Sequence, residues 1–281
     1  MYEIKKCSKV TDSEIFKTFT DGFADYMIQV EMDEKYFINR FFGPEGNVRE
    51  LSFIAFKDDV PVGITLGGIK EGEHVKTLRC GGMSLIPSER GSGLAKTLME
   101  YHEKEARDIG CRQLFLEVIK GNDRAINFYK KMGYEKVYDL NYRKWKIDSK
   151  NTIDSPVDDR VEELAYEDIY SLRDTDYSHL PWQSDFPYFR NMECNYYGIK
   201  ENGNIVAGIV ATDKRLIYLW VHPRYRMKGY GKALLKKVIT ELEPEELNVA
   251  YANSSLVHTF CNYLNMKMEP ISQYEMYKWL I

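Results

Sequence analysis

The chain has 281 residues, of which 44% are hydrophobic, 14% aromatic and 29% charged, a composition typical of a folded protein with two domains or one large one. Its 39 basic and 43 acidic residues give a net charge of −4. A protein that binds nucleic acid regardless of sequence needs a surplus of positive charge, so this class is disfavoured. No apolar stretch approaches the roughly 18 residues of a membrane-spanning helix, and the N-terminus lacks the apolar run of a signal peptide, so we expect neither.

The cysteines are scattered along the chain without a CxxC pair. An odd, dispersed set of this kind suits a reducing compartment and buried free thiols. The histidines do not lie near the cysteines in the sequence, so no metal site is expected. These features predict a cytoplasmic protein that needs no metal and binds neither nucleic acid nor a membrane. The five cysteines are Cys7, Cys80, Cys111, Cys194 and Cys261.

The first half of the chain alternates strand and helix patterns. Apolar runs on both sides of a polar turn predict a hairpin, and Leu94, Leu98 and Tyr101 share one face of a helix that Gly110 ends. The predicted elements, in chain order, are a hairpin (53–56 and 60–63), a strand (82–86), a glycine-spaced loop (87–93), a helix (94–109), a strand (116–119) and a short helix after Asn122.

The second half repeats this order. The pattern P-x-x-R-x-x-G-x-[AG] occurs at 87–95 and again at 223–231, 136 positions later, and 116–122 aligns with 247–253 without a gap. The predicted elements are a hairpin (196–199 and 205–208) around Asn202-Gly203, a strand (216–221), the loop (223–229), a helix (230–243) and a strand (247–252). We therefore predict two domains, 1–147 and a shorter 157–281, joined by a polar linker at 148–156, and expect each to fold by itself.

The repeated loop has the features of an anion site. A glycine-spaced turn between a strand and a helix N-terminus directs backbone N–H groups to one point, where the helix dipole adds about half a positive charge. Arg90 and Arg226 offer a further cation in each copy. A tight turn without a ligand would have the same sequence, so both interpretations stay open at this point.

The spacing excludes two phosphate-binding motifs. A P-loop needs a glycine where Ala95 stands, and a dinucleotide-binding motif needs a third glycine where Lys96 and Leu234 stand. The order of hairpin, strand, loop, helix, strand, asparagine and short helix resembles instead the GNAT superfamily of N-acetyltransferases. Residues 122–134 match the family's pattern N-x-x-A-x-x-[FL]-Y-x-x-x-G-[FY]. The resemblance covers about 52–144 and 196–278.

This resemblance implies an α/β fold of two consecutive acyltransferase domains, each with a mixed, mostly antiparallel sheet flanked by helices. It implies acetyl-CoA as cosubstrate, its pyrophosphate held by loop amides and its pantetheine arm paired with the strand end at Leu85. The residues that would bind it are Leu85, Ile86, Arg90, Gly91, Ser92, Gly93, Leu94, Ala95 and Asn122 in the first domain, and Arg226, Gly229 and Gly231 in the second.

Tyr129 and Glu117 are the candidate catalytic residues. The family carries a tyrosine at the position of Tyr129, near the thioester sulfur, and a phenol can give a proton to a departing thiolate. Glu117 would act as a general base through water. The alternative for Tyr129 is a core aromatic residue on an amphipathic helix. Asn122 either contacts cofactor or caps the following helix, and the acidic, aromatic segment 21–26 either lines an amine site or is a solvated helix end.

The second domain lacks the tyrosine, because Cys261, Asn265 and Met266 align with Tyr129, Gly133 and Tyr134. Its activity therefore stays open. The predicted function is transfer of acetyl from acetyl-CoA to a primary amine, on a small molecule or a protein, by direct attack. The alternative is a non-catalytic sensor of CoA or a related metabolite, or a scaffold. The sequence indicates neither the acceptor nor the oligomeric state.

Overall fold

The structure, a computed structural model, describes residues 1–28, 31–72, 75–148, 153, 158–176 and 178–280. These form two compact units: unit 1 is Met1–Val137 with Tyr274–Ile281, and unit 2 is Tyr138–Gln273. Each contains a mixed, mostly antiparallel sheet flanked by helices, so the predicted fold class is confirmed. No helix among the described residues is long and apolar enough to cross a membrane.

In unit 1 the sheet order is β1-β2-β3-β4-β5, and only the β4–β5 pair is parallel among these. The predicted hairpin is β2–β3, whose turn residues Asp58 and Asp59 have φ of 51° and 62°. The elements are β1 (Glu3–Lys6), α1 (Asp12–Phe23), α2 (Glu34–Phe41), β2 (Phe53–Lys57), β3 (Val60–Gly72), β4 (Val75–Leu85), α3 (Leu94–Asp108), β5 (Gln113–Ile119), α4 (Asp123–Lys131) and the beginning of β6 (Glu135–Lys146).

In unit 2 the order is β7-β8-β9-β10-β11-β6, again with one parallel pair, β10–β11. The hairpin β8–β9 turns at Asn202 and Gly203 with φ of 51° and 79°, as their sequence predicts. The elements after β6 are β7 (Val161–Glu163), α5 (Tyr166–Tyr170), α6 (Phe186–Phe189), β8 (Asn195–Glu201), β9 (Asn204–Ala211), β10 (Arg215–Val221), α7 (Tyr230–Leu242), β11 (Glu246–Ala252), α8 (Val257–Tyr263) and β12 (Lys267–Trp279).

The compact units differ from the predicted domains 1–147 and 157–281, because the two halves of the chain exchange their last strands. Residues 140–146 of β6 pair with β11 and so complete the sheet of unit 2. The end of β12 lies beside β5 in unit 1, where the rings of Phe115 and Tyr277 stack with centroids 4.8 Å apart. The predicted linker at 148–156 falls mostly outside the described residues, which omit 149–152 and 154–157.

This exchange changes the expectation that each half folds by itself. Fragments 1–148 and 158–281, produced separately, each lack the strand that completes their unit and carry one that belongs to the other. We expect each fragment alone to unfold at a lower urea concentration than the intact chain, and an equimolar mixture to recover most of the loss in a concentration-dependent manner. The intact protein nicked between 149 and 156 is the control. If both fragments alone unfolded at the same urea concentration as the intact chain, the original expectation that each half folds by itself would hold.

A buried histidine makes unit 1 sensitive to acid. His102, on the sheet-facing side of α3, is fully buried, and neither ring nitrogen has a hydrogen-bond partner among the described residues. Burial lowers the pKa of His102 to about 4, whereas an unfolded histidine titrates near 6.5. The unfolded chain therefore binds more protons, and the stability that the neutral ring permits is lost as the pH falls from about 6.5 to about 4.

Across this range we expect His102 to lower the free energy of unfolding by roughly 3 kcal/mol. His102→Leu removes the titrating ring and keeps an apolar side chain of similar size. Other groups titrate in the same range, so the measurement is the difference between the two proteins in urea unfolding at pH 4 and pH 7. An equal loss of stability in both proteins on acidification would show that His102 does not contribute.

Candidate active site

The strands β4 and β5 separate partway along their length. Their parallel pairing runs from Thr77 and Gln113 to Cys80 and Leu116 and then stops, although both strands continue. The next residue, Gly81, is an extra residue in β4 opposite β3, and such a bulge bends a strand. A Cβ at this position would lie 1.9 Å from Asn47 Oδ1, so a larger residue requires the side chain of Asn47 to move. We call the opening after Cys80 and Leu116 the fork of unit 1.

Unit 2 has a fork of the same construction. The parallel pairing of β10 and β11 ends at Leu216 and Val249, while β10 continues to Val221. Ile217 is the extra residue, 136 positions after Gly81, which is also the spacing of the repeated loops. The duplication therefore preserves both the bulge and the separation of the strands that follows it.

The loop of unit 1 presents unused backbone donors at the open end of the fork. After a 3-10 turn at Pro87–Glu89, Gly91 and Gly93 have φ of 81° and 90°, and α3 begins at Leu94. Among the described residues, no acceptor lies opposite the N–H groups of Gly91, Ser92 and Gly93. Three free donors at a helix N-terminus form a site suited to a phosphate or another anion.

The loop of unit 2 has the same backbone. It has a 3-10 turn at Pro223–Tyr225, Met227 and Gly229 have φ of 60° and 87°, and α7 follows at Tyr230. Met227 is fully exposed, so packing does not explain its left-handed conformation, which costs a non-glycine residue about 1–2 kcal/mol. The loop thus keeps its shape even where the glycine of unit 1 is absent.

The two loop arginines share one contact and differ in the rest. Arg90 Nε donates to the carbonyl oxygen of Leu85 (3.4 Å) and Arg226 Nε to that of Val221 (2.9 Å). The terminal nitrogens of Arg90 also donate to both carboxylate oxygens of Asp25 (2.6 Å each) and to the Gly22 carbonyl (3.1 Å). These bonds hold the pKa of Asp25 below its usual range.

Arg90 therefore ties the loop to the C-terminal end of α1, which is part of the acidic, aromatic segment singled out in the sequence. For the predicted contact of its side chain with a phosphate, the ion pair with Asp25 would have to open. The terminal nitrogens of Arg226 have no ion-pair or hydrogen-bond partner within the described part of the chain. Arg226 would therefore not have to break an ion pair to contact a phosphate, whereas Arg90 would.

Tyr129 lies inside unit 1, on α4, and is 7% exposed. It belongs to the same buried cluster as Leu116 and Val118 of β5. Burial, with Cys80 and Tyr26 nearby, raises the pKa of Tyr129 well above its usual value, so the phenol keeps its proton at neutral pH. Asn122 begins this helix, because its side chain accepts the N–H of Ala125 (3.2 Å), as the capping interpretation predicts.

Glu117 follows directly after the last paired residue of β5. Because side chains alternate along a strand, it faces away from Leu116, Val118 and the Tyr129 cluster. Its Oε1 is buried without a hydrogen-bond partner among the described residues, and its Oε2 lies 3.9 Å from Arg79 Nη2. Burial raises the pKa of Glu117 to about 7, against the opposing charge of Arg79. The fork of unit 1 is thus flanked by a proton donor on one face and a proton acceptor on the other.

In unit 2 the position of Tyr129 is taken by Cys261, as the sequence alignment predicts. Met266 N–H donates to the Cys261 carbonyl just as Tyr134 N–H does to Tyr129 (3.0 Å each). Cys261 is fully buried, and burial raises the pKa of its thiol to about 12. A cysteine side chain is also about a ring shorter than a tyrosine, so it does not replace the phenol in reach.

The alignment of 116–122 with 247–253 is shifted by two positions in the structure. The last paired residue is Leu116 in β5 but Val249 in β11. Asn253 consequently lies ahead of α8 instead of capping it, and its side chain accepts the N–H of Asp139 (3.1 Å). The asparagine that occurs in both repeats conceals this shift in the sequence.

Some residues around the fork were missed in the sequence. Arg79 stands beside Glu117, whereas Tyr26, which acts on the pKa of Tyr129, belongs to the segment 21–26 that the sequence analysis considered. The signal for Arg79 was present: like Glu117, it is a charged residue inside an otherwise apolar strand segment. Nothing local pointed to Glu45 or Glu275, which the fold brings to the same place from distant parts of the chain.

Comparisons with known proteins agree with this geometry. A model of the acetyltransferase (GNAT) family matches residues 14–134 and 160–261, which is more than half of the chain. No curated protein sequence matches significantly. Two solved structures, each 12% identical, share the fold: a GCN5-related N-acetyltransferase from Sphaerobacter thermophilus (99% of this chain, 95% of that one, TM-score 0.68) and a tandem GNAT protein from the clavulanic acid biosynthesis pathway (99%, 98%, 0.67). The chain belongs to the acetyltransferase (GNAT) family, with two copies of its fold.

Proposed function

We propose that the protein transfers an acetyl group from acetyl-CoA to a primary amine and that unit 1 carries out the reaction. The observation that carries this proposal is the fork of unit 1, with Tyr129 on one face of β5, Glu117 on the other and the anion-binding loop at its open end. Unit 2 has the loop and the fork but holds a buried cysteine in place of the phenol.

The cosubstrate would bind along the loop and the free edge of β4. The N–H groups of residues 91–93 and the first turn of α3, with Leu94 and Ala95, suit the pyrophosphate. Leu85 and Ile86 suit the pantetheine arm, which would extend the sheet as an added strand. Arg90 positions the loop through Asp25, and Asn122 holds the start of α4. Arg226, Gly229 and Gly231 offer the same features in unit 2.

The chemistry removes two protons from the acceptor nitrogen and supplies one to the sulfur of CoA. An amine near pKa 10 arrives as an ammonium ion and attacks only after deprotonation. Glu117, whose pKa lies near 7, takes this proton through water. The amine then attacks the thioester carbon, whose oxygen a backbone N–H near Leu85 polarises. As the carbon–sulfur bond breaks, Tyr129 gives its proton to the thiolate. The nitrogen of the adduct then gives its second proton, through water, to the Tyr129 phenolate, which restores the phenol.

The test is release of CoA thiol from acetyl-CoA in the presence of a panel of small primary amines, polyamines, amino acids and peptides. We expect release that depends on both acetyl-CoA and one class of amine. Binding of CoA without release for any amine would instead favour the metabolite sensor, and absence of CoA binding would favour the scaffold.

All five cysteines are unpaired in the structure. Free thiols are the usual state of cysteines in the reducing cytoplasm, where we propose that the protein acts.

A further inference from the structure

A group of buried charges lies around Glu117. Four other charged residues of unit 1, all less than 10% exposed, act on it electrostatically from four different segments. We call this group the carboxylate cluster; it consists of Glu45 after α2, Lys70 on β3, Arg79 on β4, Glu117 on β5 and Glu275 on β12. Removing charges from water costs free energy, so a cluster of five buried charges requires a physical explanation.

Arg79 stands between two of the carboxylates. Its Nη2 is 3.7 Å from Glu45 Oε2 and 3.9 Å from Glu117 Oε2, while its Nη1 donates to the backbone carbonyl of Glu45 (3.1 Å). The bond to the backbone fixes the guanidinium on the side of Glu45. Glu45 is itself held by Arg40, whose Nη2 lies 3.3 Å from its Oε1. Glu117 therefore shares the charge of Arg79 with Glu45.

The placement of charge in the cluster bears on the affinity of Glu117 for a proton. Together with Arg40, which pairs with Glu45, three carboxylates face three cations, so the protonation of Glu117 depends on where the positive charges lie. Opposite charges about 4 Å apart interact strongly in a partly buried site, so the division of the charge of Arg79 has a large effect. Glu117 stands at the fork, and burial raises its pKa to about 7.

We propose that Arg79 is a positioning residue that divides its charge between Glu45 and Glu117, and that this division, together with Glu275, sets the pH at which Glu117 accepts a proton from the acceptor amine. The division of charge follows from the geometry of the cluster, and its effect on catalysis rests on the proposed function. Glu45 and Glu275 thereby act on the reaction without contacting a substrate.

The direct test is the titration of the Glu117 carboxyl carbon by NMR in protein labelled with 13C-glutamate, with Glu117→Gln to assign the signal. Glu45→Gln releases Arg79 to Glu117, so the midpoint should fall by about one pH unit or more. Glu275→Gln removes a second negative charge that acts on Glu117 and should shift the midpoint in the same direction. Arg79→Gln should raise the midpoint, and Arg79→Lys, which keeps the charge, should keep it near the wild-type value.

The second readout is the acid limb of kcat/KM, measured by thiol release from acetyl-CoA with the best amine of the panel. In the Glu45→Gln and Glu275→Gln variants, this acid limb should move to lower pH together with the NMR midpoint. Damage to the fold would instead lower the activity without moving the limb. A Glu117 midpoint that is unchanged in both variants overturns the division of charge. A midpoint that moves while the limb stays fixed supports the division of charge and overturns the role of Glu117 as the base.

Discussion

Tyr129→Phe is expected to lower kcat by roughly ten- to a thousand-fold, about the contribution of one acid–base group, while the affinity for CoA barely changes. The substitution removes only the hydroxyl group, and the ring remains packed against Phe128 and Tyr134, whose centroids lie 5.3 Å and 5.8 Å away. Without the phenol, the thiolate has to leave unprotonated or take its proton from water. The measurement is thiol release at saturating amine, with CoA affinity determined by calorimetry.

The chain offers a matched control in Tyr134→Phe. Tyr134 is buried in the same cluster, its pKa is raised by the same burial, and its hydroxyl has no hydrogen-bond partner among the described residues. Its substitution should leave kcat nearly unchanged. Cys261→Ala tests unit 2 and should also leave turnover intact. If Cys261→Ala abolished transfer while Tyr129→Phe remained active, the active half would be the C-terminal one.

Gly93→Glu is expected to weaken CoA binding to unit 1 by about 100-fold or more. No heavy atom lies within 4 Å of a Cβ at this position, so the side chain has room in the free protein. It would enter the space in front of the free N–H groups, where its carboxylate would repel a pyrophosphate. A left-handed φ at a non-glycine residue adds about 1–2 kcal/mol of strain, and each 1.4 kcal/mol corresponds to tenfold in affinity.

Two variants separate these effects. Gly93→Ala has the same backbone strain without the charge and should bind CoA within about tenfold of the wild type. Gly229→Glu places the carboxylate in the equivalent loop of unit 2 and reports on a second site. Calorimetry that shows unchanged affinity and stoichiometry for Gly93→Glu would contradict the proposal for unit 1. Loss of all binding in Gly229→Glu alone would place the site in unit 2.

Local signals in the sequence predicted the parts of the fold that are set locally. The hairpin turns depend on residues such as Asn202 and Gly203 that accept a positive φ, and the repeated loops depend on Gly93 and Gly229, so a short pattern identifies each. Their recurrence at one spacing also revealed the duplication. Both forks follow from a single extra residue in a strand, which no pattern in the sequence marks.

The remaining features depend on contacts between distant segments. Either last strand has the alternation needed to close either sheet, so the sequence does not indicate which sheet it joins. Glu117 was found because a carboxylate is unusual in an apolar strand, but its partners Glu45 and Glu275 come from the two ends of the chain. A two-residue shift in β11 was likewise hidden by an asparagine that occurs in both repeats.

The exchange of last strands has a consequence for the order of events during synthesis. At 5–20 residues per second, the ribosome synthesises β5 roughly 10–30 seconds before it synthesises the end of β12. The edge of β5 lacks its native partner strand during this interval. The nearest competitor for this edge is β6, which follows β5 directly and natively belongs to unit 2. A nascent chain that pairs β6 with β5 must undo that pairing later, so refolding is expected to show a slow phase.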